Sequence, residues 1–340
     1  MKILFLSHFF YPKIGGVEVN SDLLANAFHK LGHEIRLVTW SEDPGNKPFD
    51  FPVIRNPGLR ILIREHLWAD IVFENNPCLR LAWPAFFLGK PSVVALCTWI
   101  SRSDGRKGWQ DRIKNLWLRR AAKVIAVSKV IRDECFPAAI VIGNPYGTAI
   151  FKKSPVAVRD HDFVFLGRLV SDKGADMAIK AIDALLKGPG HLAMTLTIIG
   201  EGDEMNNLKE LVRVYGLETL VTFTGSLRGD VLVATLNEHR YMLIPSIWKE
   251  PFGNVALEGM ACGCIPIVSD GGGLPDAVGN AGLVFERGNT DSLLRTIRTL
   301  LENRELEKEL RANAYTHLDN HHPDVISAKY LDVLENVIQH

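Results

Sequence analysis

The chain opens on an apolar run, "KILFLS". A helical pattern that stops at Gly32, "VEVNSDLLANAFHKLG", and a second apolar run, "EIRLVTW", follow it. This alternation constrains the fold more than any other feature, because it recurs. "ADIVFEN", "PSVVALC", "KVIAVS" and "AIVIGN" continue the strand series, with helical stretches between most of them. Strands that are apolar along their whole length need cover on both faces, which predicts a parallel sheet between layers of helices. A polar stretch, "AIFKKSPVAVRDHD", then precedes a second series. Its strands are "FVFLG", "AMTLTIIG", "VTFTG", "YMLIP" and "IPIVS", with helices expected over 174–186, 203–215, 229–238 and 254–262. The remainder, from "NTDSLL" to the end, is helical, as several helices. At 340 residues the chain exceeds one ordinary core, so two α/β domains meeting near residues 150 to 160 are expected.

Composition narrows the function. The formal net charge is zero, so no overall field favours nucleic acid. Five cysteines are odd in number and mostly scattered, and the single pair in "ACGC" lacks the second pair a zinc site needs. Buried thiols in a reducing cytoplasm are expected, with no metal ligand among them. His8 and Pro12 follow the first apolar run and no small-residue cleavage site appears, so it reads as a strand and not a signal peptide. No apolar run reaches the roughly 20 residues that span a bilayer.

In open parallel sheets ligands lie beyond the C-terminal ends of the strands. After "FVFLG" come Gly167, Arg168 and Lys173, with Gly174 opening a helix. Two cations beside free helix amides suit an anion, although a solvated Arg and Lys would give the same pattern. After "TIIG" come Gly200, Glu201 and Gly202, which admit either a flat ligand such as a nucleobase or a tight turn. Gly15 and Gly16 precede the first helix, where backbone amides can face a phosphate or a sugar or simply form a flexible loop. No G-x-G-x-x-G follows either domain's first strand, which argues against a dehydrogenase.

The richest stretch is "PSIWKEPFGNVALEGMACGC". Glu250 and Glu258 could be an acid/base pair, metal ligands or a clamp on hydroxyls. Pro251 disfavours helix at Glu250, so that residue lies in a loop, while Gly253 starts a helix carrying Glu258 in its second turn. The two carboxylates therefore approach a ligand from different directions. Ala256, Leu257, Met260 and Ala261 surround Glu258 with apolar neighbours, and a carboxylate so placed needs a partner.

"GRLVSDKG" (167–174), "IIGEGDE" (198–204), "VTFTGSL" (221–227), "LIPSIWKEPFGNVALEGMACGCIPIVSDGGGLPDAV" (243–278) and "AGLVFERGNTDSL" (281–293) together resemble the C-terminal domain of family 4 glycosyltransferases. "GGVE" and "LGHEIRLVT" are similar to that family's opening. The resemblance implies the GT-B fold: two Rossmann-like βαβ domains with parallel sheets facing an interdomain cleft. It divides the chain into an acceptor domain over 1–155, a nucleotide-sugar domain over 156–322, and a final helix over 323–340 that packs back on the first.

It further implies a retaining, metal-independent glycosyltransferase with an E-x7-E motif. The donor is a UDP- or GDP-linked sugar and no cofactor is needed. Glu250 faces the donor sugar, Glu258 the ribose, and Arg168 and Lys173 the diphosphate, with Glu250, Arg168 and Lys173 carrying the catalytic roles. Gly167, Gly200, Glu201, Gly202, Phe252, Gly253, Asn254 and Val255 complete the donor site, and Gly15 and Gly16 close it from the first domain. Domain closure on the donor is expected from that division. Preorganised cations and helix amides would stabilise the charge that builds on the departing nucleoside diphosphate. The acceptor is a glycan or a lipid-linked intermediate of cell-surface polysaccharide synthesis.

One departure stands out. Many members carry a His after the strand matching "PSVVALCTW", where this chain has Cys97 and Thr98, so no general base is assigned. A GT-B nucleotide-sugar epimerase and a silent sugar-nucleotide-binding partner of another transferase are the alternatives. Residues 101–123 hold eight Lys/Arg against two Asp, with Trp109, Ile113, Leu116 and Trp117 interleaved. Such a helix suits an anionic membrane, at the inner face of the cell membrane, or packs on its own domain. His317, His321 and His322 lack the carboxylate or Cys of a convincing metal set and read as loop or helix-junction residues.

Overall fold

The apolar runs become strands with interiors closed to water. Ile3, Leu4, Phe5 and Leu6 of the first strand have no exposed surface, nor have Val93 to Leu96. The computed structural model describes residues 1–13, 15–100 and 108–339. The chain divides into two units, Met1–Tyr146 with His321–His340, and Gly147–Asn320.

In the first unit the elements run β1 (Lys2–Leu6), α1 (Gly16–Lys30), β2 (Glu34–Thr39), β3 (Val53–Arg55), α2 (Leu59–Trp68), β4 (Ile71–Asn75), α3 (Leu79–Phe87), β5 (Ser92–Leu96), α4 (Trp109–Leu118), β6 (Lys123–Ala126), α5 (Lys129–Cys135) and β7 (Ile140–Val141). The seven strands lie in the order β3-β2-β1-β4-β5-β6-β7, every neighbouring pair parallel. The connection order reverses between β1 and β4, whose register sets Leu6 against Glu74. α1 buries Leu24, Ala25, Ala27 and Phe28 on one face and stops where Gly32 takes φ 89°. At that turn the Gly32 amide donates to His29 O (2.9 Å), and the His33 amide to Phe28 O (3.2 Å).

The second unit runs β8 (His161–Leu166), α6 (Ala175–Lys187), β9 (Leu196–Ile199), α7 (Met205–Tyr215), β10 (Val221–Gly225), α8 (Gly229–Asn237), β11 (His239–Ile244), α9 (Asn254–Ala261), β12 (Ile265–Ser269), α10 (Leu274–Val278), β13 (Leu283–Phe285), α11 (Thr290–Glu302) and α12 (Arg304–Asn320). Its six strands are also parallel, in the order β10-β9-β8-β11-β12-β13, with the reversal between β8 and β11. The core there is one apolar cluster, in which Phe163 and Tyr241 pack ring to ring at 5.4 Å between centroids.

The last helix, α13 (Pro323–Gln339), belongs to the first unit. It buries Ile326, Tyr330, Leu331 and Leu334, packs on α1, and sets the Tyr330 ring edge-on to Phe73 of β4 at 5.8 Å. Among the described residues no helix is long and apolar enough to cross a membrane.

Candidate active site

Where the connections of a parallel sheet reverse, adjacent crossovers leave in opposite directions and open a crevice at the strands' C-terminal ends. In the second unit that crevice lies beyond β8 and β11. After β8 the chain passes through Gly167 and Arg168, makes a single 3-10 turn over Ser171–Lys173, and enters α6 through Gly174 at φ 73°. After β11 it runs from Pro245 to Gly253 before α9. The two turns are bonded together: Asp172 O accepts from the amides of Ile247 (2.8 Å) and Trp248 (3.1 Å). They also touch closely, since a Cβ at Gly174 would overlap the Pro245 carbonyl.

This welding brings Lys173 onto Glu250. The ammonium and the carboxylate form a short ion pair, with only 16% and 14% of their side chains exposed. The same Oε1 of Glu250 accepts from Ser246 Oγ at 3.0 Å, and the Lys173 ammonium sits 5.0 Å from the centre of the Trp248 ring. The backbone of Glu250 is held from the other side, where its carbonyl accepts from the Gly273 amide at 2.7 Å. Glycine is required opposite, because a Cβ at Gly272 would overlap that carbonyl. Ser246 and Trp248 are functional candidates that motif reading passed over; their position directly after β11 was the available signal. Arg168 is exposed on the neighbouring turn, and among the described residues its guanidinium joins no ion pair.

Glu258 stands apart from this pair, on the second turn of α9. Among the described residues its carboxylate has no hydrogen bond or ion pair, and burial alone pushes its pKa up to about 7. α9 starts from Gly253 at φ 108°, where a Cβ would overlap a Leu274 methyl. Asn254 and Val255 form the first turn, whose amides point away from the helix body. Phe252 is 2% exposed, so its ring anchors the loop in the interior, and what that position offers a ligand is backbone.

The glycines of "GEGDE" have a structural reason. A Cβ at Gly200 would overlap Gly167 O, and one at Gly202 would overlap Leu169 O. They let the turn after β9 press against the turn after β8, with Leu169 N donating to Glu201 O at 2.9 Å. The Glu201 carboxylate accepts from the Ser226 amide at 3.4 Å. Gly15 and Gly16 lie in the first unit at the start of α1, Gly16 with open space where a side chain would stand.

Cys97 is buried at the end of β5, donating to Asn75 Oδ1 at 3.0 Å and lying 3.8 Å from Asn20 Nδ2. Burial raises its pKa to about 12, so it is a thiol and no base. The three histidines of "HLDNHH" diverge: His317 binds Ala277 O (2.8 Å), His321 binds Asn144 O (2.8 Å), and His322 accepts from the Asp324 amide (3.3 Å). No group of metal-binding side chains forms among the described residues.

Residues 148–317 match the family described as glycosyl transferases, group 1. An uncharacterized glycosyltransferase of Methanocaldococcus jannaschii is 33% identical over 334 residues, spanning 82% of this chain and 83% of that protein. The chain belongs to the group 1 glycosyltransferases. Further relatives of the group 1 enzyme include the gpi3 subunit of Schizosaccharomyces pombe phosphatidylinositol N-acetylglucosaminyltransferase, 23% identical across 87% of this chain and 72% of that one. Among solved structures, Anabaena HepE in complex with UDP superposes with a TM-score of 0.84 at 21% identity, covering 99% of this chain and 100% of that one. At that identity the likeness speaks for the fold, which is GT-B.

Proposed function

We propose that this glycosyltransferase is a retaining, metal-independent enzyme of the family 4 type, moving a sugar from a nucleoside diphosphate sugar to a hydroxyl acceptor. The observation that carries the reading is the Lys173–Glu250 pair at the crevice of the second unit, with the exposed Arg168 on the neighbouring turn and, on the following helix, Glu258, which has no partner among the described residues. Such a set supplies cations for a diphosphate and carboxylates for hydroxyls. In the reaction, Lys173 exchanges its carboxylate for a phosphate oxygen, and Glu250 is released to accept from a sugar hydroxyl. Arg168 takes the charge that builds on the departing diphosphate, as do the amides of Asn254 and Val255. Glu258 accepts from the ribose. Glu250 and Glu258 thus hold the donor and move no proton.

The Anabaena HepE structures contain UDP and UDP-glucose, which favours a uridine diphosphate sugar here. Thermal stabilisation by UDP-, GDP- and ADP-sugars tests the reading. The UDP-sugar is expected to raise Tm, and Glu258→Ala and Arg168→Ala each to weaken its binding at least about tenfold. Stabilisation that persists unchanged in both variants would refute the site. Release of UDP only when an acceptor hydroxyl is supplied separates transfer from epimerisation.

The proposal extends to work at the inner face of a membrane, on a glycan or lipid-linked acceptor of cell-surface synthesis. Its support lies in α4, since residues 101–107 of the basic segment fall outside those described. Trp109, Ile113 and Leu116 are exposed along one face of that helix, at i, i+4 and i+7. Arg120, in the turn after α4, rests 4.2 Å from the ring centre of Phe86, which carries the exposed surface onto Phe87 at the end of α3. Aromatic and aliphatic side chains ringed by Arg112, Arg119 and Arg120 suit an anionic lipid surface.

A further inference from the structure

The first sheet reverses its connection order between β1 and β4, which opens a crevice at the C-terminal ends of those strands whose charged and aromatic side chains the donor reading does not use. The segment after β1 is fixed there by Ser7 N to Val38 O (3.1 Å), Ser7 Oγ to Phe9 O (2.7 Å), and the Phe10 amide to Ser41 Oγ (2.9 Å). His8 O accepts from the Trp40 amide and from Thr39 Oγ1, both at 3.3 Å, which ties the end of β2 to the same segment. A row of side chains results. The Lys13 ammonium stands 3.8 Å from the centre of the Phe9 ring, and Phe9 meets the His8 ring edge-on at 4.6 Å. The Arg80 guanidinium, in the first turn of α3 just beyond β4, lies 5.9 Å from the Trp40 ring centre.

Lys13, Phe9 and Arg80 are exposed, and among the described residues neither cation pairs with a carboxylate. Both act on His8, whose pKa is lowered by burial and then by Arg80 and Lys13. A cation resting on an aromatic face keeps its N–H edge for another acceptor, and the guanidinium fork matches phosphate oxygens in pairs. The aromatic faces beside them suit the apolar C–H face of a sugar ring.

We propose that the crevice bounded by His8, Phe9, Lys13, Trp40 and Arg80 binds the acceptor, and that the acceptor carries a phosphoryl group seated between Lys13 and Arg80. This rests on the transferase reading above and adds the acceptor's chemical class. The phosphoryl group belongs either to a soluble sugar phosphate or to a phospholipid headgroup.

The test begins by titrating the full chain with UDP, which reports on the donor reading alone. The UDP-saturated chain is then titrated with hexose 1-phosphate, with dihexanoyl phosphatidic acid, and with the neutral methyl hexoside. At least one phosphate probe is expected to bind about tenfold or more tighter than the methyl hexoside, as one charge-assisted contact allows. The tighter of the two identifies the source. Arg80→Ala and Lys13→Ala are each expected to remove about that factor, and Arg80→Glu more, with UDP affinity within about twofold of the parent. Equal binding of the neutral and phosphorylated probes would overturn the proposal. So would variants that weaken UDP as much as phosphate, since the cations would then serve the donor. If UDP fails to bind the parent chain, the donor reading falls by itself. The phosphate titrations on the free chain then still decide the acceptor.

Discussion

Burial raises two carboxyl groups to about 7, in different company. Glu74, at the end of β4, is fully enclosed but accepts from the Cys78 amide (2.7 Å) and Trp117 Nε1 (2.8 Å), which oppose the effect of burial. Glu258 has burial alone, so its ionised form is stabilised by nothing the described residues provide. A carboxyl whose pKa is higher folded than unfolded binds its proton more readily when folded. Its contribution to stability therefore falls as pH climbs from about 4.5 to about 7 and is level above. Glu258→Gln is expected to leave stability unchanged at pH 4 and to raise it by on the order of 2 kcal/mol at pH 8, read from urea denaturation at a series of pH values. The same variant is expected to bind UDP more weakly at pH 8. A stability difference that does not vary with pH would show that Glu258 is ionised without cost.

At the scale of elements, α4 and the end of α3 form one exposed surface because two helices end side by side. Phe87 is 75% exposed and Trp109 is 70% exposed, a large apolar area to leave in water. The inward face of α4 is accounted for: Leu118 is buried, Trp117 joins the apolar cluster under α2 and α3, and Asp111 accepts from the Gly108 amide at 2.9 Å. Among the described residues the outward face has no such structural use. Co-sedimentation with vesicles is expected to show binding to anionic lipid and little to neutral lipid. Phe87→Ser and Trp109→Ala should each weaken it about tenfold, the burial of one aromatic side chain being worth about 1.5–3 kcal/mol. Binding that survives the double variant would assign the surface to something other than lipid.

At the scale of the whole molecule, the chain leaves its first unit after Tyr146 and re-enters it at His321. The unit's core is therefore completed by the last residues to be joined to it. α13 buries six side chains, Ile326, Ser327, Tyr330, Leu331, Val333 and Leu334. Each apolar one contributes roughly 1.5–3 kcal/mol against a domain's net stability of only about 5–15 kcal/mol. A chain ending at residue 320 is expected to lose the calorimetric transition of the first unit and to keep that of the second. Two intact transitions in the shortened chain would show that the unit folds without α13.

Much of the architecture was legible in the sequence, because a strand covered on both faces declares itself as an unbroken apolar run. β1, β2 and β4 to β12 each coincide with a strand read from the sequence, although β10 alternates and leaves Thr222 and Thr224 exposed. β3 and β13 were missed: each has three residues and pairs with one neighbour, too short for any period to show. The candidate site was legible in its members but not in their relations. The family resemblance implied that Lys173 and Glu250 are separate contacts to a donor, and tertiary structure made them an ion pair. The glycines of "GEGDE" left a flat ligand and a tight turn both open, and in the structure they make room for the carbonyls of Gly167 and Leu169. His8, Trp40 and Arg80 carry no motif at all and became neighbours only through the strand order. The sequence by itself determined most of the strands, the turns that follow them, and membership of the group 1 glycosyltransferases. The pairing of Lys173 with Glu250, the isolation of Glu258 and the grouping of Arg80 with His8 were decided by tertiary structure alone. The physical reason is that burial is encoded residue by residue, whereas the partner of a charge depends on which strand ends a sheet sets side by side.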